Sequence, residues 1–290
     1  MQTAATAATD TTAPSNPALG PAVEYVHGYS PQEARRLGDQ ADTLAALLHE
    51  GTAYPAGSRV LEVGCGVGAQ TVHLIDSSPG AHFVAVDRSA DSLATAAARV
   101  AAHAPDAHVR WRRADLFALP FPDAEFDHIF VCFVLEHLAA AQRALAGLRR
   151  LLRPGGTITV IEGDHGSALF HPDSAYASAA IDCLVQLQVD GGGNALVGRQ
   201  LQPLLTQAGY DGVRVRPRTV YADRTRPHLV EGFTRSTFIA MIESVRGDAL
   251  ASSLITEADW DRGIDDLRRT ADDGGTFHYT FFKATGTRAA

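Results

Sequence analysis

The chain has 290 residues, with 25 Lys and Arg against 33 Asp and Glu, a formal net charge of -8, 46% apolar and 20% charged residues. This is a soluble globular composition that excludes collagen-like, coiled-coil and wholly disordered chains, and the acidic balance argues against a protein built to hold nucleic acid through clustered Lys and Arg. The longest apolar run, Ile129 to Leu135, falls far short of the roughly 20 residues of a membrane span, and three scattered cysteines without a CxxC pair point to a reducing cytoplasm rather than a disulfide framework.

Residues 1–20 are mostly Ala, Thr and Pro without Lys or Arg, which predicts a disordered tail and no secretory signal. Residues 21–54 are expected to form N-terminal lid helices: Ser30, Pro31 and Glu33 make a capping box, and Leu37, Ala41, Leu44, Leu47 and Leu48 recur at helical spacing. Strands are expected at Arg59 to Val63, Phe83 to Asp87, Val109 to Ala114, Phe126 to Phe133 and Thr157 to Glu162. Helices fall between them at Ala69 to Ser77, Ser89 to His103 and Ala140 to Leu152, the last ended by Pro154-Gly155-Gly156. Strands alternating with helices imply βαβ crossovers and a doubly wound α/β sheet. After Gly163 the rhythm breaks. Ser174 to Val189 and Arg199 to Ala208 are predicted helices, Val213 to Arg218 and Phe277 to Ala284 are predicted strands, and His228 to Asp272 is a helical insertion. One domain over residues 55–290, with helical insertions at 163–195 and 226–272, is the expected organisation.

The strongest motif is Val60-Leu61-Glu62-Val63-Gly64-Cys65-Gly66-Val67-Gly68-Ala69, a buried strand running into a glycine loop and a helix. Alone it also satisfies the dinucleotide pattern GxGxxG/A, and Asp87 at the end of the next strand suits a ribose diol in either case. Glu62 two residues before Gly64, the Ala114-Asp115-Leu116 strand end, and Phe126-Asp127-His128-Ile129 leading to Leu135-Glu136-His137-Leu138 separate the two. In that order these residues resemble the class I S-adenosylmethionine-dependent methyltransferases, over about Pro55 to Glu162. The second half, from Glu162-Gly163-Asp164-His165 to Phe277-His278-Tyr279-Thr280, is similar to a subgroup of bacterial and archaeal small-molecule methyltransferases.

The resemblance implies a doubly wound Rossmann-like sheet with helical caps and S-adenosyl-L-methionine as cofactor. Gly64, Cys65 and Gly66 would lie along its methionine part, Glu62 would orient the amino group, Asp87 would hold the ribose hydroxyls, and Asp115 would receive the adenine amine between Leu116 and Arg88. The expected acceptor is an apolar, indole-containing small molecule bearing a prenyl alkene, methylated at carbon. Such a reaction generates a carbocation, for which Tyr25, Tyr29, Phe133, Phe170 and Tyr176 are candidate aromatic faces and His137, His165 or Glu162 candidate proton acceptors. O- or N-methylation with His137 or His165 as base is the alternative, and a nicotinamide-dependent oxidoreductase is a third reading. Asp164, His165, His171 and Asp173 lack metal-site spacing, so no metal is expected. Arg214 and Arg216 alternate with Val213 and Val215 as one face of an edge strand, and the fourth strand lacks the Asn/Asp-Pro-Pro-aromatic motif of nucleic-acid base methylation, so no nucleic-acid partner is expected. A homo-oligomer, formed by exchange of the N-terminal helix, is the expected assembly.

Overall fold

The computed structural model describes residues 31–290, with side chains from Arg35 onward. The expected tail, Tyr25, Tyr29 and the Ser30 cap lie outside the described residues.

Helix α1 (Pro31–Leu48) leads into alternating strands and helices: β1 (Arg59–Val63), α2 (Ala69–Ser77), β2 (His82–Asp87), α3 (Ala90–His103), β3 (Val109–Arg113), β4 (Phe126–Cys132), α4 (Ala141–Leu151) and β5 (Leu152–Gly163). Each strand pairs in parallel, in the order β3-β2-β1-β4-β5. The near-continuous apolar runs of β1, β2 and β4 follow from burial on both faces, because crossover helices cover each side of a parallel sheet. Ser89 caps α3 through a bond from the Ser92 N–H to its Oγ at 3.1 Å, which leaves Asp87 for other partners.

The chain then departs from parallel order. Strand β6 (Leu169–His171), helix α5 (Ala175–Asp190), helix α6 (Leu201–Gln207) and strand β7 (Asp211–Ala222) precede β8 (Thr276–Thr287), which runs antiparallel between β5 and β6 on one side and β7 on the other. The Arg-rich β7 is the expected edge strand. Between β7 and β8 lie α7 (Pro227–Leu229), a π-helix over Val230–Ile239, α8 (Ala240–Ser244), α9 (Arg246–Ala251) and α10 (Glu257–Arg269).

Three differences from the sequence-based expectation have identifiable causes. β5 begins at Leu152 rather than Thr157, because Pro154-Gly155-Gly156 is not a free turn: Gly155 donates to the Arg288 carbonyl at 2.8 Å, and Arg288 donates back to Gly156 at 2.9 Å. The short β6 has only three residues, too few to show an alternating pattern. The insertion contains a π-helix over Val230–Ile239, a wider turn than the 3.6-residue period on which the expectation rests, and it buries Phe233, Thr234, Thr237, Phe238 and Ile239.

Phe233, Phe238, Ile239, Met241 and Ile242 of the helical insertion are buried in one core with Leu44 and Leu48 of α1 and Phe277, Tyr279 and Phe281 of β8. Gly232 permits this, because a Cβ there would lie 2.2 Å from Thr43 Oγ1 on α1. The C-terminal end of α1 is tied further to β8: the buried Lys283 ammonium donates to the carbonyls of Leu48 (3.1 Å) and Glu50 (2.8 Å) and to the Thr52 hydroxyl. The three cysteines are free and buried. Among the described residues no helix is long and apolar enough to cross a membrane.

Candidate active site

The carboxyl ends of β1, β2, β4 and β5 face the same rim of the sheet, where ligands bind in open α/β folds. The loop leaving β1 is built on three left-handed glycines, each with a different reason. At Gly64 (φ +69) a Cβ would lie 2.5 Å from Val134 Cγ2, and at Gly68 (φ +74) one would lie 2.9 Å from Ala96 Cβ on α3. At Gly66 (φ +51) a Cβ would meet nothing within 4 Å, so the open side of the loop is there. Asp87 borders the loop. Its Oδ2 accepts from the Gly66 N–H and its Oδ1 from the Ser89 N–H, each at 2.9 Å. Two carboxylate oxygens offer about four acceptor positions, so two remain toward the open side.

Glu62 points inward from β1 at 2% exposure, and Thr71 Oγ1 of α2 donates to it at 2.7 Å. Burial pushes its carboxyl up to about 8, with the Asp87 charge adding to the effect. Asp115 follows β3 and caps the next turn, its Oδ1 accepting from the Phe117 N–H at 2.8 Å. The Phe117 ring is exposed, and the Arg143 guanidinium lies 4.4 Å from its centroid. Arg88, which follows Asp87, accepts through its carbonyl from Arg113 Nε at 3.0 Å. Cys65 is buried with its thiol pushed well up by desolvation, which makes it unreactive filling of the loop.

The ends of β4 and β5 carry a second constellation. Phe133, immediately after β4, is left-handed (φ +57), a conformation bulky residues rarely adopt. Its ring stands 5.5 Å from that of Phe281, which packs at 4.8 Å on Tyr279. The next two N–H groups, of Val134 and Leu135, donate to Glu162 Oε1 at 3.0 and 2.8 Å. Glu136 then meets three side chains: Gln188 Nε2 donates to its Oε2 at 3.1 Å, His165 Nε2 stands 3.4 Å from the same oxygen, and His137 Nε2 stands 3.6 Å from Oε1. His165 Nδ1 is 2.9 Å from the Tyr279 hydroxyl. Despite desolvation, which works the other way, the two histidines and Gln188 hold the Glu136 carboxyl well below the usual range, whereas burial and the neighbouring Glu136 push Glu162 up to about 8.

The structure therefore brings Glu62, Gly64, Cys65, Gly66 and Asp87 to one loop, and His137, His165, Glu162 and Phe133 to the adjoining strand ends, with Val134 seated over Gly64 joining the two. Other sequence candidates are placed elsewhere. Phe170 stacks on Phe277, and Tyr176, beneath the Arg262 guanidinium, lines an outer cavity of 760 Å³ with Leu254 and Ile255. Asp164 is held by a two-bond pair with Arg199 at 2.6 and 2.7 Å, and His165 by Tyr279 and Glu136, so neither is arranged as a metal ligand. Glu136, Gln188 and Tyr279 were not among the sequence candidates. Glu136 lay inside the quoted Leu135-Glu136-His137 motif. Gln188 had its own signal, a polar residue at a core position in line with Ile181 and Leu184 of α5.

These titrations give the protein without ligand an unusual pH profile. A carboxyl whose folded pKa exceeds its unfolded value adds stability at low pH that is lost as pH rises through the folded value, so Glu62 and Glu162 destabilise the fold between about 4.5 and 8. Lys283, lowered by burial to about 8, does the reverse: from about 8 to 10.5 the unfolded chain binds more protons and stability rises. His49, lowered by burial to about 4, adds stability with rising pH only below about 6.5. Melting temperatures are expected to fall from pH 6.5 to 8, and the Lys283 gain above pH 8 is opposed by the buried Cys65 and Cys132 thiols, whose raised values cost stability as pH passes about 9. A profile flat across that interval, or Glu62→Gln leaving it unchanged, would contradict these assignments.

Comparison with known proteins agrees with this geometry. Residues 60–156 match the family described as Methyltransferase domain. An uncharacterized 37.1 kDa protein in transposon TN4556 of Streptomyces fradiae is 31% identical over 219 residues, 71% of this chain and 61% of that protein. A ubiquinone/menaquinone biosynthesis C-methyltransferase of Paracoccus denitrificans is 30% identical over 145 residues, 47% of this chain and 58% of that protein. The chain thus spans about three-fifths of the length of either relative. Among solved structures, phosphoethanolamine N-methyltransferase 2 of Haemonchus contortus, in complex with phosphomonomethylethanolamine and S-adenosylhomocysteine, superposes with a TM-score of 0.54 at 18% identity, covering 86% of this chain and 52% of that one. The fold is the Rossmann-like fold of class I methyltransferases, and residues 60–156 match a methyltransferase domain. The nicotinamide reading of the glycine loop is thereby set aside, and S-adenosyl-L-methionine is the cofactor of this domain.

Proposed function

We propose that the protein acts in the cytoplasm as an S-adenosylmethionine-dependent methyltransferase of secondary metabolism. Its acceptor is a small apolar molecule, and the reaction is C-methylation of a prenyl alkene on an indole-containing natural product of the teleocidin type, whose prenyl-indolactam C-methyltransferase the chain resembles. The observation that carries this reading is the aromatic wall of Phe133, Phe281 and Tyr279 standing beside a buried anion, Glu136, at the strand ends that adjoin the glycine loop. The relative named as a quinone-biosynthesis C-methyltransferase also favours carbon as the methylated atom.

The residues present fit the cofactor: the open face at Gly66, the spare acceptor positions of Asp87 and the second carboxylate oxygen of Asp115 would form one cradle. Glu62, Gly64, Cys65 and Gly66 would hold its methionine part, Asp87 the ribose, and Asp115 with Leu116 and Arg88 the adenine. When bound, S-adenosyl-L-methionine supplies an electrophilic methyl group carried on a sulfonium.

The chain's own contribution is position and environment. Holding an alkene carbon in line contributes on the order of 7 to 11 kcal/mol through effective concentration. The alkene's π electrons form the new carbon–carbon bond and leave a cation on the neighbouring carbon. The faces of Phe133 and Phe281 shield that cation from water, and Glu136 stabilises it at short range in a low-dielectric setting. The sequence ends with loss of a proton from an adjacent carbon to His137, or with capture of the cation by the indole ring followed by loss of the ring proton to the same base. Among the three proposed proton acceptors, His137 is the most accessible, its side chain 20% exposed against 6% for His165 and 0% for Glu162. The pairing of Glu136 with His137 favours a second reading, O- or N-methylation of a phenol or amine with His137 as base.

Transfer of an isotopically labelled methyl group decides between them. Mass spectrometry and NMR are expected to place the label on carbon of a prenylated indolactam. Rapid labelling of a phenol or amine, with none on the prenyl group, would overturn C-methylation and leave the cofactor assignment standing.

A further inference from the structure

Helix α1 carries a glycine, Gly38, in its interior, where the missing side chain weakens a helix and so calls for a packing reason. Arg99 of α3 supplies it. Gly38 is buried, and a Cβ on it would lie 3.1 and 3.2 Å from the two terminal nitrogens of the Arg99 guanidinium and 3.6 Å from the central carbon. Both nitrogens are nearer than the carbon that carries them, so the planar group abuts the bare backbone of α1 end-on. Its opposite corner, Nε, donates to the Val67 carbonyl at 3.1 Å. One side chain thus reaches from α1 to the glycine loop.

Both ends of this span are held by other contacts. Val67 stands between Gly66, whose N–H goes to Asp87, and Gly68, which packs on Ala96 one turn before Arg99, so α3 fastens the loop at two consecutive residues. On α1, Asp42 lies one turn beyond Gly38 and stands 3.1 Å from His73 Nε2 of α2, and Lys283 takes the Leu48 carbonyl at the far end of the helix. The guanidinium is therefore confined between a seated helix and the loop, and pushing it from the α1 side displaces the bond to Val67.

We propose that Arg99 is a positioning residue for the cofactor, a strut between α1 at Gly38 and the Val67 carbonyl through which the seating of α1 sets the shape of the glycine loop. Arg99 acts through the backbone at Val67, next to the open face of Gly66. Gly38 acts one step further off, by leaving room for the guanidinium. The proposal rests on the reading of this loop as the S-adenosyl-L-methionine site, and it adds a route by which a helix outside the βαβ core governs that site.

A double-mutant cycle on the full chain tests it, with S-adenosylhomocysteine affinity read by calorimetry and folding checked by thermal melts. Arg99→Met and Gly38→Leu are each expected to weaken binding about fivefold or more, the effect of losing one hydrogen bond that holds the loop. Leucine is a good helix former, so the second loss does not come from a weakened α1. The double variant is expected to bind no more weakly than either single one, because both changes remove the same strut. Should Gly38→Leu not fold, Gly38→Ala takes its place, since the nearest atoms its added carbon would meet all belong to Arg99. Coupling is reciprocal, so S-adenosylhomocysteine is also expected to slow hydrogen exchange in α1 around Gly38 in the wild-type protein and not in Arg99→Met. Wild-type affinity in either single variant, losses that add in the double variant, or exchange in α1 that ignores the cofactor product would each overturn the strut. Failure of the loop assignment is separate: it appears as binding in the wild-type protein that Asp87→Ala leaves intact.

Discussion

Gly66→Val and Asp87→Ala are each expected to weaken binding of S-adenosylhomocysteine by about a hundredfold or more. Gly66 has φ +51 and an open space where a Cβ would point, so valine there both strains a left-handed residue and fills the cradle from within. For Asp87 the loss has two parts. Hydrogen bonds from ribose hydroxyls to a charged carboxylate contribute about 1.5 to 3 kcal/mol each, and two of them correspond to roughly two to four orders of magnitude in affinity. The same carboxylate also ties the Gly66 and Ser89 N–H groups, so its removal loosens the loop that the cofactor must meet. A variant at Gly68 provides the contrast. Gly68→Val is expected to fail by destabilising the fold, because its side chain would strike Ala96 on α3 at 2.9 Å or less. Calorimetry and thermal melts on the three variants separate the cases. Wild-type affinity in Gly66→Val and Asp87→Ala would remove the cofactor assignment from this loop.

The first half of the fold was legible because its signals are local. A parallel strand buried on both faces leaves an apolar run such as Val60 to Val63, and a helix leaves a capped period such as Ser89 to His103, so β1 and α2 have the boundaries expected of them. The second half is held by partners far along the chain. β6 exists because β8 lies beside it, and Pro154-Gly155-Gly156 is drawn into β5 by Arg288 at the far end of the sequence. The candidate site divides the same way. The glycine loop, Asp87 and Asp115 are encoded as short motifs at strand ends. Gln188 and Tyr279 join Glu136 and His165 only through the packing of α5 and β8, and no spacing rule links residues 136, 165, 188 and 279. The aromatic residues show the limit most plainly, since composition alone does not tell Phe133 at the rim from Tyr176 beside the outer cavity.

Glu162→Ala is expected to destabilise the fold by about 2 to 4 kcal/mol, the loss of an acceptor for two buried N–H groups at roughly 1 to 3 kcal/mol each, offset in part by relief of a buried acid. Against a total of about 5 to 15 kcal/mol, that is a large fraction from one side chain. The turn it holds is under strain. Phe133 is left-handed, Val134 is wedged against Gly64, and the Phe133 N–H reaches back to Ile161 at 2.9 Å, so the turn depends on Glu162 to secure its far side. Glu162→Gln keeps an oxygen where Oε1 accepts from Val134 and Leu135, and is expected to cost less than about 1 kcal/mol because an amide replaces an acid that is already uncharged. Urea unfolding gives the ordering. Hydrogen exchange at the Val134 and Leu135 amides gives the cause, with protection lost in the alanine variant and retained in the glutamine variant. Equal stability of the two variants would mean that the turn stands without Glu162, and that the Phe133 face is set by packing against Phe281 alone.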